Sequence, residues 1–208
     1  MTRVLVVSKT RMNSGVCVGG ILETGQLVRL LKSNGYNQDD STIFEIGRFY
    51  DIEYRERIDK KAPHVEDILI EKNYPCESLS AHALKTYLTD TLHVKIWHGP
   101  ATTLFDGKLQ WGPSRKAYIN TSNIPNHSVG FWRPHLCLKY HKNEQTQKEW
   151  YSYKEDEQWY NITYVGLQPP VAYIPAGTLL RVSLARWWQK DQETEYRCYL
   201  QLSGWYDL

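Results

Sequence analysis

Cations and indoles that could engage a planar, anionic ligand are concentrated near the C-terminal end of this chain. The run Gly177–Trp188 and the run Tyr196–Tyr206 read as two β-strands separated by the polar turn Gln189–Glu195. Along the first, Arg181, Ser183, Ala185 and Trp187 alternate with Leu180, Val182, Leu184, Arg186 and Trp188. A period of two places each set on one side of a sheet. One side would then present an arginine, a hydroxyl and an indole together, and Arg186 beside an exposed indole could stack or hold a phosphate. Of Trp187 and Trp188, one is expected to pack inward and the other to face solvent.

Further cations sit near the other end. Lys9 and Arg11, with Ser8 and Thr10, follow the first apolar run and could hold phosphate. The segment lacks the glycine and lysine spacing of a P-loop. Arg29 and Arg181 each interrupt an apolar strand. A buried guanidinium needs a partner, and Glu66 and Asp67 are the carboxylates expected to supply it; the planar fork of arginine would equally suit a phosphate. The segment Pro63-His-Val-Glu-Asp67 is the densest group of titratable side chains. Read as a strand, it puts His64 and Glu66 on one face and Asp67 on the other. Such a cluster could hydrogen-bond a base edge, tie the strand into a structural network, or serve as an acid–base or metal site. Two ligands on one face are fewer than a catalytic metal site normally has.

The positioning elements are mostly strands. Apolar or alternating runs occur at 4–7, 16–22, 27–31, 49–55 and 65–70, with a hairpin turn at Glu23–Gln26. Gly19-Gly20 in the second run predicts a bulge or a close backbone approach. One helix is predicted over 78–89, capped by Ser78, because Leu79, Ala83, Leu84, Tyr87 and Leu88 recur at helical spacing. His93–Trp97 returns to strand. Residues 98–128 read as loop with short strands, and a second β group follows at 131–140, 149–153 and 159–165 before the two terminal strands.

Composition narrows the partners. The 208 residues carry a net charge of +2, and the longest basic run is Lys60-Lys61, so a polyanion site would be a local patch and not a basic stripe. Seven of the eight tryptophans follow residue 100, among 15 tyrosines and only 4 phenylalanines. Tyr and Trp favour half-buried places and strands, and exposed ones can stack on bases. Cys17, Cys76, Cys137 and Cys198 form no metal-binding spacing. They read as reduced, which suggests a cytoplasmic protein. Neither metal nor cofactor is expected, nor a signal peptide or transmembrane segment. His98, His127, His135 and His141 share no ligand spacing and read as surface or capping residues.

Five strands, a helix and a second set of strands suggest a mainly β fold: two small OB-like β-barrels packed together, with one or two helices, divided as 1–98 and 99–208. The chain resembles the dual OB-containing domain family of bacterial proteins. The resemblance rests on Arg3-Val-Leu-Val-Val-Ser-Lys-Thr-Arg11, Val16-Cys-Val-Gly-Gly20, Val28-Arg-Leu-Leu31, Pro63-His-Val-Glu-Asp67, Arg181-Val-Ser-Leu-Ala-Arg-Trp-Trp188 and Gln201-Leu-Ser-Gly-Trp205. These segments span the chain, and their order is the specific signal. The resemblance implies a role in bacterial conflict or antiphage defence, sensing nucleic acid or nucleotides.

Residues and resemblance together favour a non-catalytic module that binds single-stranded nucleic acid or a nucleotide. Lys9, Arg11, Arg29, Arg181 and Arg186 would neutralise phosphates, Trp187 or Trp188 would stack, and His64, Glu66 and Asp67 would contact the ligand. Two alternatives stand beside it: an adaptor whose aromatic surface docks an effector protein, and a metal-dependent hydrolase or nuclease using His64, Glu66 and Asp67.

Overall fold

A computed structural model describes residues 1–191 and 195–206, and they fall into two compact units. Residues 1–61 and 65–94 form the first; residues 62–64 and 95–206 form the second.

The first unit is a closed five-stranded barrel. Its strands are β1 (Thr2–Arg11), β2 (Val16–Leu22), β3 (Leu27–Lys32), β4 (Arg48–Glu56) and β5 (Asp67–Ser78). The order around the barrel is β1-β2-β3-β5-β4, returning to β1. All neighbours are antiparallel except β3 and β5. That path, with its single parallel pairing, is the Greek-key path of an OB barrel. Alternate residues of β2 and β3, such as Val16, Val18, Val28 and Leu30, fill the interior with Tyr50 and Ile52. The bulge expected at Gly19-Gly20 lies on the facing strand: the β1–β2 register slips between Val6 and Ser8, opposite those glycines. Gly20 also provides close approach, since a Cβ there would lie 2.6 Å from Val4 Cγ2.

The predicted helix starts later than its spacing suggested. Ser78 is the last residue of β5, and the next amide, of Leu79, donates to Gly47 O at 2.7 Å. Ser80 is the cap: its hydroxyl accepts from the Ala83 amide at 3.2 Å, opening α1 (Ala81–Thr86). A wider turn over Tyr87–Thr91 continues it.

The second unit contains β6 (Ile96–Gly99), β7 (Gln110–Trp111), β8 (Ala117–Asn120), β9 (Val129–Pro134), β10 (Leu138–Lys142), β11 (Glu149–Glu155), β12 (Gln158–Tyr164), β13 (Tyr173–Ile174), β14 (Leu179–Leu184) and β15 (Arg197–Tyr206). They form one ten-stranded sheet. Within it β10, β11 and β12 form an antiparallel meander, β12 runs parallel to β15, and β15 pairs antiparallel with β14. The path β10-β11-β12-β15-β14 therefore repeats β1-β2-β3-β5-β4 in order and direction. Where β4 closes the first barrel on β1, β14 takes β9 as its neighbour and β10 takes β13. Its core gathers Trp132, Tyr151, Ile162, Leu180, Leu200 and Leu202. A Cβ on Gly130 would sit 2.2 Å from the Trp97 ring, so only glycine admits that indole.

Between β6 and β7, Phe105, Asp106 and Gly107 take left-handed φ values of 51°, 60° and 76°. The turn holds Asp106 where it accepts from Lys95 Nζ at 2.6 Å and Trp97 Nε1 at 3.4 Å. Among the described residues no helix is long and apolar enough to cross a membrane.

Candidate functional site

The outward face of the β10–β12 meander gathers aromatic and basic side chains. Tyr151, Tyr153, Ile162 and Tyr164 point into the core, so their strand neighbours point away. Cross-strand pairing sets these neighbours in rows: His141 opposite Trp150, Trp150 opposite Thr163, Ser152 opposite Asn161, and Lys154 opposite Trp159. Lys139 lies opposite Ser152. The face thus combines two indoles, an imidazole and two lysines.

Local contacts organise it. The His141 and Trp150 rings stack with centroids 5.3 Å apart and planes 13° from parallel. His141 Nε2 shares a 2.7 Å hydrogen bond with Ser152 Oγ. Burial, followed by the Lys139 charge, lowers the His141 pKa, so the ring is neutral at pH 7. Trp159 is 53 % exposed at the edge of the face. The histidine expected on the surface is therefore a half-buried member of this array. His135 faces Glu155 at 3.1 Å, and His127 stacks on Trp97 with centroids 5.5 Å apart.

A second aromatic group lies where β14 and β15 extend beyond their main pairing. Trp188 and Arg197 exchange backbone hydrogen bonds of 3.0 and 2.9 Å. Trp188 approaches Tyr199 at 6.2 Å, Tyr199 approaches Tyr118 at 5.9 Å, and the Arg197 guanidinium lies 4.1 Å over the Tyr118 ring. Glu195 accepts from Asn120 at 2.9 Å and pairs with Arg197. Its pKa is lowered, first by the Asn120 hydrogen bond and then by Arg197.

The residues singled out by sequence are distributed over both units. Lys9 and Arg11 end β1 beside Val18 and Val16, with Arg11 exposed at the turn into β2. Arg29 meets one of its expected carboxylates: two 2.6 Å bonds join its guanidinium to Asp67, which also lies 3.5 Å from Arg57. Glu66 is buried, and its carbonyl accepts from the Arg29 amide at 2.8 Å. Pro63–Asp67 is not one strand, because β5 begins only at Asp67. His64 is buried in the second unit, with Nε2 3.8 Å from Cys198 Sγ. Burial pushes that thiol up to about 12.

Arg181 is only 2 % exposed; it donates to Gly130 O at 3.4 Å and lies 5.2 Å over the Phe131 ring. The face expected to join Arg181 to Trp187 does not form, because β14 ends at Leu184 and its pairing with β15 slips between Arg181 and Val182. Arg186 is exposed beyond the strand. Trp187 packs against the core and donates to Ala62 O at 3.0 Å, while Trp188 is 50 % exposed. The polar turn predicted at Gln189–Glu195 includes residues 192–194, which lie outside the described residues. Among the described residues no group of three or more His, Cys, Asp or Glu side chains is arranged to hold a metal ion.

The profile of the dual OB-containing domain matches residues 2–205. The chain belongs to the dual OB-containing domain family. No curated protein matches it. Among solved structures, a murine DNA binding protein bound to double-stranded DNA aligns over 96 % of this chain and 91 % of its own, at 12 % identity and a TM-score of 0.31. At that identity and score the likeness bears on neither fold nor ligand.

In this dual OB-containing protein the repeated path gives the meander face a meaning. In OB barrels, the face of the second and third strands, with the loops joining strands one to two and four to five, takes oligonucleotides and oligosaccharides. In the second unit the corresponding strands are β11 and β12, and the corresponding connections are 143–148 and the one from β14 to β15, described at 185–191 and 195–196. Arg186, Trp187 and Trp188 fall in the latter loop. Of the residues on this face, Trp150, Trp159, Lys139 and Lys154 were not singled out from the sequence, and His141 was read only as a surface or capping residue. The tryptophan enrichment after residue 100 was their one signal.

Proposed function

We propose that this dual OB-containing protein binds single-stranded nucleic acid on the outward face of β10, β11 and β12. The observation that carries the reading is the His141–Trp150 stack with exposed Trp159 farther along the same face, together with Lys139 and Lys154. Indoles stack on any base, and Lys139 supplies phosphate attraction that a modest net charge does not provide globally, whereas Lys154 would first have to exchange its pairing with Glu157. A duplex hides its base faces, so a flat aromatic surface favours single strands. Arg186 and Trp188, just after β14, would extend the contact, and Lys9 and Arg11, at the end of β1, would serve the first barrel. Sensing nucleic acid in a bacterial defence system is the cellular role this reading suits.

The test is fluorescence anisotropy of labelled single-stranded DNA and RNA over a range of salt. Binding that weakens linearly in log–log form with salt, and is lost in a Trp150→Ala, Trp159→Ala double variant that keeps its fold, is the expected result. Absence of binding at micromolar protein and low salt rejects the reading.

A further inference from the structure

The His141–Trp150 stack leaves one face of the indole uncovered, and the strands fix what lies before that face. His141 and Trp150 are directly opposite on β10 and β11, and their ring centroids are 5.3 Å apart. That is little more than the roughly 4.8 Å between neighbouring strands. Rings so placed, within 13° of parallel, must stand up from the sheet and face each other across the strands. The imidazole therefore covers the β10 side of the indole. The other side is turned toward β12, and among the described residues no second ring stacks on it.

The row continues with small and polar groups. Thr163 on β12 is opposite Trp150, and Gln201 on β15 is opposite Thr163. Their neighbours Ile162, Tyr164, Leu200 and Leu202 point into the core, so Thr163 and Gln201 share the outward side with Trp150. Both are half-buried. Among the described residues neither the Thr163 hydroxyl nor the Gln201 amide is engaged in a hydrogen bond, whereas the next outward group on β15, Ser203, is taken by Ser183 at 2.8 Å. Trp150 and Gln201 are two strand spacings apart, about 9.5 Å. A base in contact with the indole stands about 3.5–4.0 Å from it, nearly over Thr163, and leaves about 5.5–6 Å to the Gln201 row. That is too little for a second base and within reach of a glutamine side chain. The amide thus meets the base edge that points down to the sheet, beside the Thr163 hydroxyl. It carries a donor and an acceptor side by side, and adenine offers the matching acceptor and donor on one edge.

We propose that Trp150, Thr163 and Gln201 form a base slot selective for adenine, carried either by a single strand or by a free nucleotide. The strand as carrier rests on the nucleic-acid reading above; the slot itself does not.

Two measurements test it. Anisotropy with labelled oligodeoxyadenylate and oligothymidylate of equal length gives an affinity ratio for the wild type and for Gln201→Leu. The ratio is expected to favour adenylate and to fall about fivefold or more in the variant, the lower end for loss of a bidentate base contact. Self-stacking of the adenylate strand is common to both proteins and cancels. Separately, the Gln201 side-chain amide resonances of 15N-labelled wild-type protein are followed during titration with adenosine monophosphate and with thymidine monophosphate. The adenine nucleotide is expected to move them and the thymidine nucleotide to leave them in place, a result that needs no variant to fold. If the oligomers fail to bind but adenosine monophosphate moves the amide, the slot stands and the single-strand reading falls. Equal movement by both nucleotides overturns the selectivity for adenine. If the oligomers bind with the same ratio in both proteins and neither nucleotide moves the amide, the slot is wrong and the stacking face survives.

Discussion

His141 and Trp150 lie ring on ring, 13° from parallel, and the imidazole is fixed in that pose by its 2.7 Å hydrogen bond to Ser152. The pair forms a preformed flat surface, and a flat surface that need not be ordered on binding costs less side-chain entropy to use. Trp159, on the next strand, has no such restraint and is the more exposed ring.

Trp159→Ala is expected to weaken single-stranded oligonucleotide binding by roughly 1–3 kcal/mol, the range for loss of one base–aromatic stack. Its thermal midpoint should match wild type, because the ring is half exposed. Anisotropy and a melting scan on the same preparation check both halves of the statement.

The His141 ring gives the fold a pH signature. Its pKa is depressed in the folded state relative to the ordinary 6.5, by burial first and the Lys139 charge second. The unfolded chain therefore takes up this proton first as pH falls below 6.5. Stability contributed by the neutral ring is complete above that value, declines beneath it, and levels off below the folded pKa. His141→Gln, which keeps a partner for Ser152, should flatten this decline in melting midpoints recorded from pH 7 to pH 5.

Asp67 is almost wholly buried beneath Arg29. Arg29→Met strips the carboxylate of its two shortest bonds, and a loss of about 3–5 kcal/mol in denaturant unfolding is expected. Pairing that change with Asp67→Leu should recover much of it, because a matched apolar pair has no stranded charge.

Cys198 should be silent to thiol reagents in the folded protein at pH 8, since its buried thiol is held near 12. Cys137 is exposed and should react at once. Counting modified thiols with and without denaturant distinguishes the two.

Gly130→Ala places a methyl group inside the Trp97 ring. Overpacking of this kind costs about 1–3 kcal/mol or more, and a lowered melting midpoint with altered tryptophan emission is the expected readout.

The first barrel was legible where local chemistry and tertiary structure agree. Gly25, with φ of 82°, makes the β2–β3 turn that its sequence announces, and an arginine in an apolar strand pointed to a buried carboxylate, found as Asp67. The meander face was not legible because its hairpin lacks the usual signal. Asp156 and Glu157 both take positive φ, 47° and 61°, in the two-residue turn between β11 and β12, where asparagine or glycine is the common choice. Without that turn the register that brings Lys154 opposite Trp159 cannot be inferred. Arg181 misled for another reason: alternation finds the two sides of a strand but not which of them is covered, and both sides of β14 are.

The repeated strand path has a consequence for how the protein is made. In the first unit β5 closes its barrel by residue 78, early in synthesis. In the second, β15 is the shared neighbour of β8, β12 and β14, and all three emerge before it. The β7–β8 hairpin can already bridge to the meander through Lys116 and Asn161, but the meander and the β9–β14 pair must wait on the ribosome until residues 197–206 arrive between them, so the half that carries the aromatic surface is the one whose unpaired edges stay open longest to aggregation and to chaperones.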